Sequence, residues 1–145
     1  MNSLISKALE PGINGDRFMK YIVESAKSVE QASLDLQKNV AEAKYGVLHV
    51  HDLKETMKKK GVEFPEECRI FEVCNPLRAS KVLSEDMEMN FALPCRISVY
   101  TDHGKTKIGM IRPEPLLRTL SDSKVLAQEA REVESDLIRI IQSSK

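Results

Sequence analysis

Five histidine and cysteine side chains, types that bind metal or act as nucleophiles, fall within residues 49–95: His49, His51, Cys68, Cys74 and Cys95. On an extended strand a His-x-His pair turns both imidazoles to the same side. Cys68, or Glu72 on a strand paired with it, would complete the kind of ligand set that holds Zn²⁺. Cys74 stands directly before Asn75-Pro76, a pair that opens helices. Free amides and the helix dipole at such an end lower a thiol pKa, which makes Cys74, with Cys95, the candidate for catalytic or redox chemistry. Plainer roles compete with these: histidines on a polar sheet face, and cysteines packed as small hydrophobes. No GxSxG elbow, Gly-rich phosphate loop or HExxH motif occurs, so the reading leans away from an enzyme.

The chain that must position these groups has 145 residues, the length of one domain with a proper core. Its 22 Lys and Arg cancel its 22 Asp and Glu, which argues against nucleic acid and against a polybasic membrane contact. With 41% hydrophobic and 30% charged residues, and only short apolar runs, it reads as a globular domain and not as a disordered or membrane-spanning chain. Three unpaired cysteines and an amino terminus without a secretory pattern lead us to expect a reducing cytoplasm.

Residues 1–17, polar and carrying Pro11, Gly12 and Gly15, are expected to form a tail or docking arm ahead of a single domain over 18–145. The pattern predicts a first strand over Met19–Ser25. Ser28-Val29-Glu30-Gln31 reads as a capping box opening a helix that ends near Lys44. A strand over Tyr45–His51, a short basic helix over Leu53–Lys60 closed by Gly61, and a strand over Cys68–Cys74 follow. Asn75-Pro76 starts a helix to about Leu83, and periodicity leaves residues 84–92 undecided. Strands over Cys95–Thr101 and Lys105–Arg112 join through Asp102-His103-Gly104. Pro113 and Pro115 end the sheet, and a long amphipathic helix covers about Asp122–Gln142. The order predicts an α+β two-layer sandwich, β-α-β4-α. Its five-stranded sheet is mostly antiparallel, its long helices lie on one face, and two small helices are inserted around the third strand.

Alternation along each strand assigns faces. Leu48 and Val50 are expected under the helices, with Val47, His49 and His51 outward. Phe71 and Val73 go inward, and Cys68, Ile70, Glu72 and Cys74 outward. Ile97 and Val99 go inward, and Cys95 shares their parity, so the Cys74 and Cys95 sulfurs are expected on opposite faces. Glu72, Arg96, Ser98 and Tyr100 make the outward candidate set for a ligand. A second candidate is a pocket between sheet and final helix lined by Met57, Met87, Met89, Phe91 and Met110. Lys58-Lys59-Lys60 is a solvated helix end.

Val73-Cys74-Asn75-Pro76, then Ala79 and Leu83, then Leu93-Pro94-Cys95 and Val99-Tyr100, resemble the pattern of the family called domain of unknown function 302. The similarity runs from about Phe18 to Leu120, with Tyr45-Gly46-Val47 and Gly61-Val62-Glu63-Phe64-Pro65 in corresponding places. The tail and the final helix are less clearly covered. The resemblance implies a β-α-β4-α sandwich like the TATA-binding protein, usually dimeric, and no settled activity. A fold shared with a DNA-binding protein is no argument for DNA binding. The leading expectation is a non-enzymatic homodimer whose outward sheet faces meet or enclose a small apolar or anionic ligand. The alternative is a cysteine- or metal-dependent enzyme or sensor using Cys74 and the His49/His51 pair.

Overall fold

A computed structural model describes residues 19–145; the expected arm over 1–17 lies outside them. The strands are β1 (Lys20–Ser25), β2 (Gly46–Asp52), β3 (Cys68–Cys74), β4 (Cys95–Asp102) and β5 (Lys105–Ile111). They form one sheet in the order β1-β5-β4-β3-β2, and every neighbouring pair is antiparallel. Helices α1 (Val29–Glu42) and α5 (Lys124–Ser144) cover one face. The inserted helices are α2 (Leu53–Lys59) and α3 (Pro76–Glu85).

Local chemistry accounts for the boundaries. The Ser28 side chain accepts from the Gln31 amide at 3.1 Å and starts α1, but Gln31 reaches forward to Asp35 at 3.0 Å instead of back to the cap. Asp52 caps α2, and Gly61, at φ 83°, follows its end in the left-handed conformation that a helix terminus uses. His103 (φ 50°) and Gly104 (φ 79°) both adopt positive φ in the β4–β5 turn, as a two-residue hairpin loop requires.

Within the stretch that periodicity leaves undecided, residues Met87–Ala92 form a 3-10 turn. One element departs from the sequence reading: Pro113–Leu120 form an additional helix, α4. The two prolines that signal a stop sit in the first turn of α4, where no amide hydrogen bond is lost and the fixed φ suits a helix.

The main core lies between the sheet and α1 and α5. Leu36 and Val40 meet Phe71, Val73, Ile97, Val99 and Ile108 from one side, and Leu137 and Ile141 complete it from α5. A smaller cluster of Val82, Met89, Leu117, Leu126 and Ala130 joins α3, the 3-10 turn, α4 and the start of α5. Among the described residues no helix is long and apolar enough to cross a membrane.

Register corrects one face assignment. Val47 pairs with Val73, and His49 with Glu72, so the strand bulges at Leu48. One extra residue shifts alternation by one. Val47 and Val50 therefore pack against the core, and Leu48, expected inside, is 59% exposed. His49 and His51 stay outward because they follow the bulge.

Candidate functional site

At one end of the sheet β3 finishes beside the start of β4, and β4 starts beside the end of β5. The chain leaves this end through α3, the 3-10 turn and α4, and these segments, with α5, enclose a cavity of about 630 Å³. Its apolar part is built by Val82 on α3, Leu116 and Leu117 on α4, and Ala130 and Val133 on α5. Its other wall is this end of the sheet, to which the outward Glu72, Arg96, Ser98 and Tyr100 and the core-side Val73, Cys95 and Met110 all contribute.

Glu72, Arg96, Ser98 and Tyr100, the outward candidates, all line this one cavity. They converge because Glu72 is in register with Arg96, and Ser98 and Tyr100 follow Arg96 at two-residue steps. Ser98 faces Gly109 on β5. A Cβ at Gly109 would stand 3.2 Å from Ile22 Cγ1 and 3.3 Å from the Tyr21 carbonyl, so glycine lets β1 lie close here. The lip is apolar and open: Ile22, Ile111 and Phe91 are 47%, 57% and 81% exposed. Of the methionine-rich pocket expected from sequence, only Phe91 and Met110 belong to this cavity. Met57 lies on α2, Met87 is exposed, and Met89 is buried in the smaller cluster.

Cys74 and Cys95 also line the cavity. Cys74 pairs with Gly46 and faces outward, whereas Cys95 pairs with Val73 and packs against the main core. The expected acidification of Cys74 does not arise. Asn75 Oδ1 takes the Leu77 and Arg78 amides, at 3.1 and 3.2 Å, so the helix start has spent those donors on its own cap. Burial pushes the Cys74 thiol above its ordinary value. Burial, and secondarily Cys74, push Cys95 up to about 11. Cys68 is likewise raised, first by burial and then by Asp52.

His49 and His51 stack edge-to-face, with ring centroids 4.4 Å apart. His51 Nε2 lies 3.0 Å from Glu72 Oε2. Cys68, the sulfur considered for a zinc set, pairs with Tyr100 beyond this group. Among the described residues no three His, Cys, Asp or Glu side chains are grouped to hold a metal ion.

Sequence reasoning missed the polar cluster on the helix side of the cavity. Arg78 Nη1 lies 3.1 Å from Glu129 and 3.3 Å from Glu132, and its Nε lies 3.8 Å from Asp136. Tyr45, buried, donates to Asp136 at 2.9 Å; burial and then that bond raise its pKa. The legible signal was an acidic stripe on the final helix at positions 129, 132 and 136, spaced for one face. Its partner on α3 carried no signal, since an arginine three residues after a cap reads as an exposed helix residue.

The family profile for the domain of unknown function DUF302 matches residues 21–144. The structure is similar to the crystal structure of an uncharacterized conserved DUF302 protein from Bacillus stearothermophilus. That likeness has a TM-score of 0.83 at 29% identity and covers 88% of this chain and 98% of the other. Among curated proteins none matches the chain.

Proposed function

Because the chain belongs to the DUF302 family, whose description assigns no activity, its role must come from its site, and we propose a non-enzymatic, homodimeric small-ligand-binding module. The observation that carries this is the cavity of about 630 Å³, where an apolar interior meets Glu72, Arg96, Ser98 and Tyr100 on one wall. That volume falls within the roughly 300–1,000 Å³ usual for small-molecule sites, and an apolar lining with a few convergent polar groups is their usual composition. Thiols raised above their ordinary pKa by partial burial support binding over thiol chemistry, since the thiolate is the reactive form. Ile22, Ile111 and Phe91 at the mouth form an exposed apolar lip that a second copy covers, closing the ligand in. Three cysteines free of disulfides suit a reducing compartment such as the cytoplasm.

The test is native mass spectrometry and light scattering on the full chain as purified. A dimer that releases a stoichiometric small molecule on denaturation supports the reading. A strict monomer at micromolar concentration with no added mass, and no stabilisation across a library of small amphiphiles, overturns it.

A further inference from the structure

The charges around the cavity differ in how far they are already engaged. Four charged residues line it: Lys20, Glu72, Arg78 and Arg96. Arg78 is held by Glu129, Glu132 and Asp136. Glu72 accepts from or faces His51 at 3.0 Å. Arg96 lies opposite Glu72 in register, yet its guanidinium forms no ion pair or hydrogen bond among the described residues, and neither do the Ser98 and Tyr100 hydroxyls. These three follow one another at two-residue steps on β4 and share one face. The sheet wall thus presents a line of unspent donors headed by a fixed positive charge. Behind them the cavity turns apolar, toward Val82, Leu117, Ala130 and Val133.

Resting on the ligand-binding reading above, we propose that the ligand is a single-chain amphiphile with an anionic head, its head held by Arg96 and the Ser98 and Tyr100 hydroxyls and its alkyl chain lodged between α3, α4 and α5. A guanidinium matches a carboxylate or a phosphate through paired N–H donors. The apolar end rewards each buried methylene. A cationic head is disfavoured on this wall, because it would meet the like charge of Arg96 and the one carboxylate there is engaged by His51. A head without charge leaves Arg96 unpaired and gains only the chain contribution.

Calorimetry on the full-length protein with dodecanoate, dodecyl phosphate and dodecanol tests this. Either anion should bind about tenfold or more tightly than the alcohol, the value of one charge-assisted hydrogen bond. Arg96→Gln, at an exposed position, should abolish that preference by weakening both anions, with dodecanol affected least. Ala79 and Ala92 line the cavity, so Ala79→Leu, or Ala92→Leu should the first not fold, narrows it and should weaken all three probes. A preference for phosphate over carboxylate, or the reverse, identifies the head, and either supports the proposal. If the anions and the alcohol bind alike and Arg96→Gln changes nothing, the head assignment is overturned and the cavity reading stands. If none of the three binds and none raises the melting temperature, this proposal falls. The broader reading falls only if the purified protein also carries no bound mass.

Discussion

Cys95 lies opposite Val73 in the β3–β4 register, so its thiol points under the helices into the main core, while Cys74, one residue past Val73, points the other way. Two thiols on adjacent strands that share a cavity wall are thus divided by the sheet itself. Raised thiol pKa values follow from this placement, with the larger rise at Cys95.

The first prediction is a pH dependence. An unfolded Cys95 titrates near the ordinary 9.0, and the native one near 11. Between these values the unfolded state has lost the proton that the native state keeps, so stability falls as pH rises through this window and is fully present below it. Denaturation at stepped pH should show this decline, and Cys95→Ala should show a shallower one. Alkylation of native protein at neutral pH should run no faster than for an unperturbed thiol; a faster reaction at Cys74 would restore thiol chemistry.

A second prediction concerns Arg78. Removing it as Arg78→Met leaves Glu129, Glu132 and Asp136 facing one another beside the cavity, at an expected cost of about 2–3 kcal/mol. Glu132→Gln removes the most exposed of its three partners and should cost about 0.5 kcal/mol or less. Tyr45→Phe, which deletes only the bond to Asp136, should cost about 1 kcal/mol. Urea midpoints separate the three.

The bulge yields a third. Leu48→Thr should lie within about 0.5 kcal/mol of the parent, as an exposed change does. Val47→Ala and Val50→Ala, which pack on the core, should each cost about 1–2 kcal/mol. Strict alternation expects the reverse for Leu48 and Val47, so equilibrium denaturation of this pair decides the register.

The fourth concerns the helix start beside Cys74. Asn75→Ala should cost about 1 kcal/mol by stripping the cap from the Leu77 and Arg78 amides. It should also leave those amides unspent, so the Cys74 thiol pKa, followed by thiolate absorbance, should move down. Asn75→Asp keeps the cap and should hold stability near the parent. A Cys74 value unmoved in Asn75→Ala would show that burial alone sets it.

Much of this protein is written in local chemistry. The Ser28, Asp52 and Asn75 caps, the His103-Gly104 turn and the stripe from Leu126 to Ile141 each depend on neighbours in the chain, and so the strand count, helix order and most strand faces are readable from residue type and spacing. The line Arg96, Ser98 and Tyr100 is readable for the same reason, since a period of two is local. Where the reading departs, the deciding partner lies far away. Helix α4 hides behind prolines whose tolerated position depends on where a helix begins, and the bulge at Leu48 is set by pairing with β3, not by β2 itself. That β1 adds to β5, that an arginine on α3 meets an acidic stripe some fifty residues on, and that four separate segments close around one cavity are decided only when the layers pack. Sequence determines which groups exist and which way each strand turns them; long-range packing determines which of them share a space.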